Sequence, residues 1–378
     1  MHRDLKLLSL SLFIWGLGEG LFLFFQPIYL QQLGADPIQI GSILGLIGLA
    51  LGAAQIPAGY ISDRFGVKQL IRLSWVIGTL ATAIMALASN LTIYVLGMIL
   101  YALTGAVVAP MNSYISSVKG QMSIGRALTF SIGIYNLGAM LGPLTGGLIS
   151  QQIGLKSVYW ISFILFVMST IIVFFLNEKE IKPEDKKSAG NKPWRNKLFN
   201  IYLLIVLTMI FAAYLPLPLT ANYLHNLHSI SFSSLGILGA LTSLGYVILA
   251  LMAGHLKPEL NLFLAQVLMI IFCWLIYLGN SLLIFSIAYL LASGYKYLRS
   301  MVVAFSRQLI QKENTGLAFG IIETVSAIGF ISAPIIAGIV SASNPQIIYP
   351  ISSLILMIVL LLSSFTLKYI TREISSKD

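Results

Sequence analysis

The chain has 378 residues, of which 57% are hydrophobic and 10% charged, with a formal net charge of +10 and a mean hydropathy of +0.89. That composition excludes a soluble globular domain, and a lone cysteine, Cys273, excludes an intrachain disulfide and any cysteine-based metal site. The positive charge alone would suit nucleic acid, but the placement of the basic residues argues for a lipid bilayer instead.

A spanning helix needs about 20 apolar residues. Twelve such runs follow one another, at approximately 5–32, 38–61, 70–89, 91–117, 126–151, 155–177, 199–225, 233–256, 261–279, 282–307, 316–341 and 346–369. The first is too long for a signal-peptide core and counts as a spanning helix. Its Gly16-Leu17-Gly18-Glu19-Gly20 follows no strand and is no nucleotide loop. Helical spacing through this run puts Trp15, Glu19, Phe22, Gln26 and Tyr29 on one broad face, mixing aromatic and polar groups as a solute cavity requires. In the second run Gly41, Gly45, Gly48 and Gly52 form a packing stripe.

Gly59-Tyr60-Ile61-Ser62-Asp63-Arg64-Phe65-Gly66-Val67-Lys68-Gln69-Leu70-Ile71-Arg72 is the charged interruption between the second and third runs, and it predicts a tight turn at the bilayer surface. Asn90-Leu91-Thr92 matches a glycosylation acceptor but lies too close to the bilayer to serve as one. The fourth run offers Tyr101, Thr104 and Asn112, and the fifth Asn136 and Met140 beside Gly138-Ala139-Met140-Leu141-Gly142-Pro143-Leu144-Thr145-Gly146-Gly147. Glycines four apart permit close helix approach, and Pro143 removes one backbone hydrogen bond and permits a kink. From about Asn177 to Lys197 the sequence is polar and charged, and reads as a flexible linker. The seventh run offers Tyr214 and Asn222 and ends on His225 and His228, read as interfacial; the tenth offers Tyr289, Ser293, Lys296 and Arg299, and the eleventh Glu323.

Of the 23 Lys and Arg, 20 fall at the termini or in alternate connections, whereas the opposite face has Lys156 alone. Both termini and the linker are therefore expected on the cytoplasmic side, and short external connections suit a bacterial or archaeal inner membrane. The linker divides the runs six and six, giving expected segments 1–177, 178–198 and 199–378. The halves repeat: Gly138–Gly147 aligns with Gly329–Gly338 at an offset of 191, and the turn at Gly59 with that at Gly254 at an offset of 195, where the Asp-Arg pair is lost.

The pattern G-x-x-x-D-R-x-G-x-K at Gly59, Asp63, Arg64, Gly66 and Lys68 resembles the loop after the second helix in major facilitator superfamily transporters. The run Gly138, Gly142, Pro143, Gly146, Gly147 resembles the motif of that superfamily's proton-coupled drug exporters. The resemblance implies an all-α fold of twelve spanning helices in two parallel six-helix bundles, with a substrate site near the membrane midplane. It also implies that Asp63 belongs to a cytoplasmic latch meeting the start of the eleventh run at Asn314-Thr315-Gly316, where a helix N-terminus favours an anion.

A charge at the bilayer centre costs at least about 2.5–3.5 kcal/mol, so it is paired or faces water. Four residues qualify. At a rise of 1.5 Å per residue, Glu19 and Lys296 lie roughly 21 Å from the cytoplasmic helix ends, Arg299 about 16 Å and Glu323 about 11 Å. A Glu19–Lys296 pair joining the two halves and a static Arg299–Glu323 pair within one half are expected. Glu19 is the expected proton carrier, Glu323 the second candidate, and proton-coupled efflux of a small organic solute the expected activity. The alternatives are proton-linked uptake of an organic anion, suggested by Lys296 and Arg299, and a nontransporting sensor on the same scaffold. An enzyme is not expected, since no nucleophile–base pair or metal-ligand motif is present, nor is a cofactor, a metal or a nucleic-acid partner; a monomer is.

Overall fold

A computed structural model describes residues 2–177, 193–309 and 315–375. Most of the expected linker, and Asn314 in the expected latch, lie outside the described residues. The described residues form fifteen α-helices and no strand: α1 (Arg3–Leu23), α2 (Gln26–Gln32), α3 (Pro37–Phe65), α4 (Val67–Leu87), α5 (Leu91–Leu103), α6 (Val108–Ser117), α7 (Ile124–Ile153), α8 (Leu155–Phe174), α9 (Lys197–Tyr214), α10 (Thr220–His228), α11 (Phe232–Ala253), α12 (Pro258–Leu278), α13 (Leu282–Ser306), α14 (Thr315–Ser343) and α15 (Ile348–Ser375). Eleven spans among the described residues are long and apolar enough to cross a bilayer. The twelfth is α13, 25 residues long and carrying Lys296 and Arg299. The protein is an all-α membrane protein with twelve spanning segments.

Fifteen helices make twelve spans because three spans are broken, each with a proline just beyond the break. Proline lacks an N–H and its ring clashes with the carbonyl four residues back. Pro27 meets in this way the carbonyl of Leu23, where α1 ends, and Pro218 that of Tyr214, where α9 ends. Pro110 disturbs the bond to Ala106, and residues Thr104–Val107 there tighten into a 3-10 turn joining α5 to α6. Proline alone does not break a span: α3, α7 and α14 run helical through Pro57, Pro143 and Pro334.

The tight turn expected within the charged stretch Gly59–Arg72 is a single residue. α3 continues to Phe65 and α4 starts at Val67, so the reversal is made by Gly66 alone, with φ of 86°. A side chain would be strained there. Gly154, with φ of 89°, makes the same one-residue reversal from α7 to α8. The charged residues expected in a loop sit instead on helix ends, which polar side chains at a membrane surface tolerate. Asn90, part of the glycosylation-like triplet, has a plain structural use: its side chain accepts a hydrogen bond from the Ile93 N–H at 3.0 Å and caps α5.

Two compact units emerge: one of residues 1–35, 46–184 and 229–240, the other of 36–45, 185–228 and 241–378. These differ from the expected division near the linker at two short segments, 36–45 and 229–240, and glycine packing explains both. In the first unit a side chain on Gly147 of α7 would collide with Phe232 and Gly236 of α11, and one on Gly236 with Pro143 and Gly147. In the second, a side chain on Gly41 of α3 would collide with Pro334 and Gly338 of α14, and one on Gly338 with Pro37 and Gly41. Residues 143 and 147 map onto 334 and 338 by the offset of 191, and 41 maps onto 236 by the offset of 195. The repeat legible in the sequence is thus one helix crossing built twice.

The fifth-run glycines use two faces. Gly138, Gly142 and Gly146 lie against the α1 backbone at Phe13, Leu17, Gly20 and Leu21, while Pro143 and Gly147 lie against α11. α7 remains helical through Pro143. The other side of α1 packs on α8, where the Trp15 and Phe166 rings stack at 4.1 Å, an arrangement that adds about 0.5–1.5 kcal/mol beyond area burial. A buried polar knot sits one turn away: the Ser11 and Ser169 hydroxyls are 2.7 Å apart, and the Trp75 indole N–H donates to both at 2.9 Å. In the second unit α9 is the central helix, its Tyr202 hydroxyl donating to the Val302 carbonyl at 2.6 Å.

Candidate functional site

The first unit encloses a cavity of about 490 Å³, bounded by α1, α3, α4, α7 and the broken span α5–α6. Its wall is largely apolar and aromatic, with Trp15, Trp75, Tyr101 and Tyr135 prominent. Glu19 is the carboxylate in that wall. The Tyr135 hydroxyl donates to its Oε2 at 2.7 Å. Trp15 lies one helical turn from Glu19, and its ring stacks on that of Tyr101 at 6.2 Å with an interplanar angle of 16°. A carboxylate in such a wall can attract a cation or exchange a proton, and the flat rings beside it suit cation–π and stacking contacts.

The 3-10 turn contributes Thr104, Gly105 and Val107 to the wall, so the irregular backbone lines the space rather than facing lipid. Ser131 also lines it, with a buried hydroxyl that has no hydrogen-bond partner among the described residues.

Several predicted residues converge here. Glu19, Asn112 and Asn136 all line the cavity. Gln26 and Tyr29 do not share that wall. Both are buried in α2, where the Tyr29 ring packs at 5.0 Å from Tyr94 and 4.8 Å from Tyr159. Phe22, still within α1, is absent from that wall as well: its ring lies 5.5 Å from Tyr159, the ring on which Tyr29 packs, so this edge of the predicted face lies against α8 rather than the cavity. Tyr135 was not anticipated. The signal was available, since Tyr135 precedes Gly138 and Gly142 by three and seven residues and so shares the face that packs on α1.

The remaining intramembrane charges belong to the second unit. Arg299 on α13 and Glu323 on α14 form an ion pair at 2.9 Å, as expected. The Arg299 guanidinium also lies over the Phe330 ring at 4.9 Å. Beside it the Tyr214 and Tyr295 rings stack at 5.1 Å, and Phe330 meets both edge-on at 5.3 and 5.8 Å. Lys296 lies one turn before Arg299 on α13, so Glu19 and Lys296 belong to different units.

In the expected latch, Gly59 and Asp63 fall within α3, and the Asp63 side chain lies outside the described residues. Arg64 is engaged locally, donating to the Tyr60 hydroxyl at 2.7 Å with its guanidinium 5.3 Å from the Phe65 ring. Lys68 is part-buried in the first turn of α4. Arg72 donates to the Phe174 carbonyl at 2.7 Å and fastens α4 to the end of α8. His228 packs rather than reaching outward: its Nε2 is 3.1 Å from the Tyr223 hydroxyl and its ring meets Phe285 edge-on at 4.9 Å.

The geometry agrees with what known proteins share with this chain. The family model described as Major Facilitator Superfamily matches residues 8–256. An uncharacterized MFS-type transporter of Methanocaldococcus jannaschii, MJ1560, is 27% identical over 361 residues, covering 88% of this chain and 90% of that protein. The multidrug resistance protein MdtG of Citrobacter koseri is 30% identical over 191 residues, 49% of this chain and 47% of that protein. Among solved structures, the nucleoside transporter NupG superposes with a TM-score of 0.80 at 14% identity, covering 97% of this chain and 100% of that one. A bacterial homolog of the human lysosomal transporter Spinster gives 0.77 at 16% identity, covering 96% of each chain. At such identities the structural likeness speaks for the fold, and the family match, which covers more than half of the sequence, speaks for descent: the chain belongs to the major facilitator superfamily.

Proposed function

We propose that this transporter exports an amphipathic, cationic organic solute in exchange for protons. The observation that carries the reading is the Glu19 carboxylate, held by the Tyr135 hydroxyl at 2.7 Å in a cavity of about 490 Å³ with aromatic walls. That volume suits a small organic molecule. An aromatic wall with a carboxylate recognises a lipophilic cation by stacking and charge, with no demand for a fixed hydrogen-bond pattern. Cation and proton compete for one carboxylate, so loading one releases the other, which is the chemistry of antiport. The partial likeness to a multidrug resistance protein supports the same direction. Proton-linked uptake of an organic anion is the weaker reading, because the Glu19 carboxylate in the cavity wall would repel an anion there.

In this scheme the chain works as a monomer in the cell's inner membrane with both termini cytoplasmic. The halves 1–177 and 199–378 alternate access to the substrate, and the motif Gly59, Asp63, Arg64, Gly66 and Lys68 serves as the cytoplasmic latch. Purified protein in liposomes with an imposed pH gradient should accumulate ethidium. Glu19→Gln should lower that gradient-driven accumulation by at least about a hundredfold, since it removes the only group proposed to carry both ligands; a hundredfold corresponds to about 2.8 kcal/mol. Full accumulation in the variant would refute the assignment.

A further inference from the structure

We propose that Arg299 and its aromatic surround form a second, separate binding subsite, specific for a flat aryl carboxylate, and that Glu323 acts as its built-in competitor. The inference does not depend on the export reading, because its residues all lie in the other unit.

Three features carry it. The ion pair is half open: each of the two side chains is 49% exposed. Charged groups so exposed within spanning helices cannot face hydrocarbon and must face water, so a solute can reach them. The pair is also incomplete. A guanidinium offers five N–H donors in a planar fork that fits a carboxylate through two parallel bonds. Among the described residues a single bond is made, from one Nη to Glu323 Oε2 at 2.9 Å. Fork geometry is therefore left for a carboxylate that can approach squarely, which Glu323, fixed to α14, does not do.

The third feature is the aromatic surround. The Arg299 guanidinium lies over the Phe330 ring, 4.9 Å from its centre. Tyr214 and Tyr295, stacked at 5.1 Å with 24° between their planes, stand against Phe330 and supply the apolar wall for an aryl ring attached to the carboxylate. An inorganic anion would use the guanidinium and waste this wall; an aryl carboxylate uses both. Binding is an exchange. The ligand's carboxylate takes the Arg299 donors, Glu323 is released to water, and no net charge is buried. The charged or titratable groups around this exchange are Arg299 and Tyr295 from α13, Glu323 from α14 and Tyr214 from α9, with Lys296 one turn from Arg299 on α13.

Removing a charged side chain should here tighten binding. Titration calorimetry of 2-naphthoate into the purified full-length protein in detergent should show weak, saturable binding. Glu323→Gln, which removes the competitor and keeps the shape, should bind about tenfold tighter, the size expected for one charge-assisted hydrogen bond. Arg299→Gln should bind none, and Arg299→Lys should lose most of the affinity because an ammonium lacks the planar fork. A gain in affinity cannot come from misfolding, so the Glu323 variant keeps the test sound even if the Arg299 variants are unstable. Equal or weaker binding in Glu323→Gln, binding that persists in Arg299→Gln, or no binding by any form would each overturn the proposal.

Discussion

In the first unit Glu19 accepts a hydrogen bond from a phenol, whereas in the second Glu323 accepts one from a guanidinium. The helix crossings of the two units are built alike, with Gly147 on Gly236 in one unit and Gly338 on Gly41 in the other. Packing has been kept through the repeat while the polar equipment has diverged. Close backbone approach needs small residues at fixed spacing and tolerates little else. A charge facing water can be moved or exchanged at small cost, and this is where two halves of common design acquire different tasks. The Tyr135 phenol brings no charge of its own to Glu19, whereas Arg299 brings a cation to Glu323. The Arg299 guanidinium is paired with Glu323, which an incoming anion must displace.

The sharpest way to break the packing half of this comparison is to overfill the repeated crossing. Gly147→Leu and Gly338→Leu should each destabilise the fold by about 1–3 kcal/mol or more, since added bulk meets backbone that cannot yield. Heating followed by size-exclusion chromatography of both variants measures it. Equal losses are expected, and tolerance of one substitution alone would mean the crossings are not equivalent. The chemical half is sharpened by Tyr135→Phe. Loss of a hydrogen bond to a charged group is worth about 1.5–3 kcal/mol, and the apparent KM for ethidium export should change at least about tenfold while folding is retained. An unchanged KM would make Tyr135 a bystander. The smallest effect concerns a feature outside both sites: Asn90→Ala removes the cap of α5 and should cost about 1 kcal/mol, with export unaffected. A loss of export greater than the loss of folded protein would show that the α5–α6 span does more than form a wall.

Much of the fold was legible because hydropathy and small-residue spacing obey short-range rules. Twelve apolar runs, the offsets of 191 and 195, and the Gly138–Gly147 stripe all reappear as spans and crossings. The face predicted around Glu19 was too broad: Phe22 and Tyr29 both pack on Tyr159 of α8, away from the wall that holds Glu19. The charged stretch at Gly59–Arg72 read as a tight turn, and Gly66 alone makes that reversal, with α3 continuing to Phe65 and α4 starting at Val67. Arg299–Glu323 was legible because the two charges lie on successive spans of one half. Tyr135 was hidden in an apolar run, and the partner of Glu19 emerges only once α7 is known to lie glycine face down on α1.

The central claim is that cation and proton compete for Glu19, and proton release measures that competition most directly. Purified protein in weakly buffered detergent solution, titrated with ethidium and followed with a soluble pH dye, should release protons in saturable proportion to the cation bound, and Glu19→Gln should release none. Undiminished release from the Glu19→Gln variant would contradict the claim.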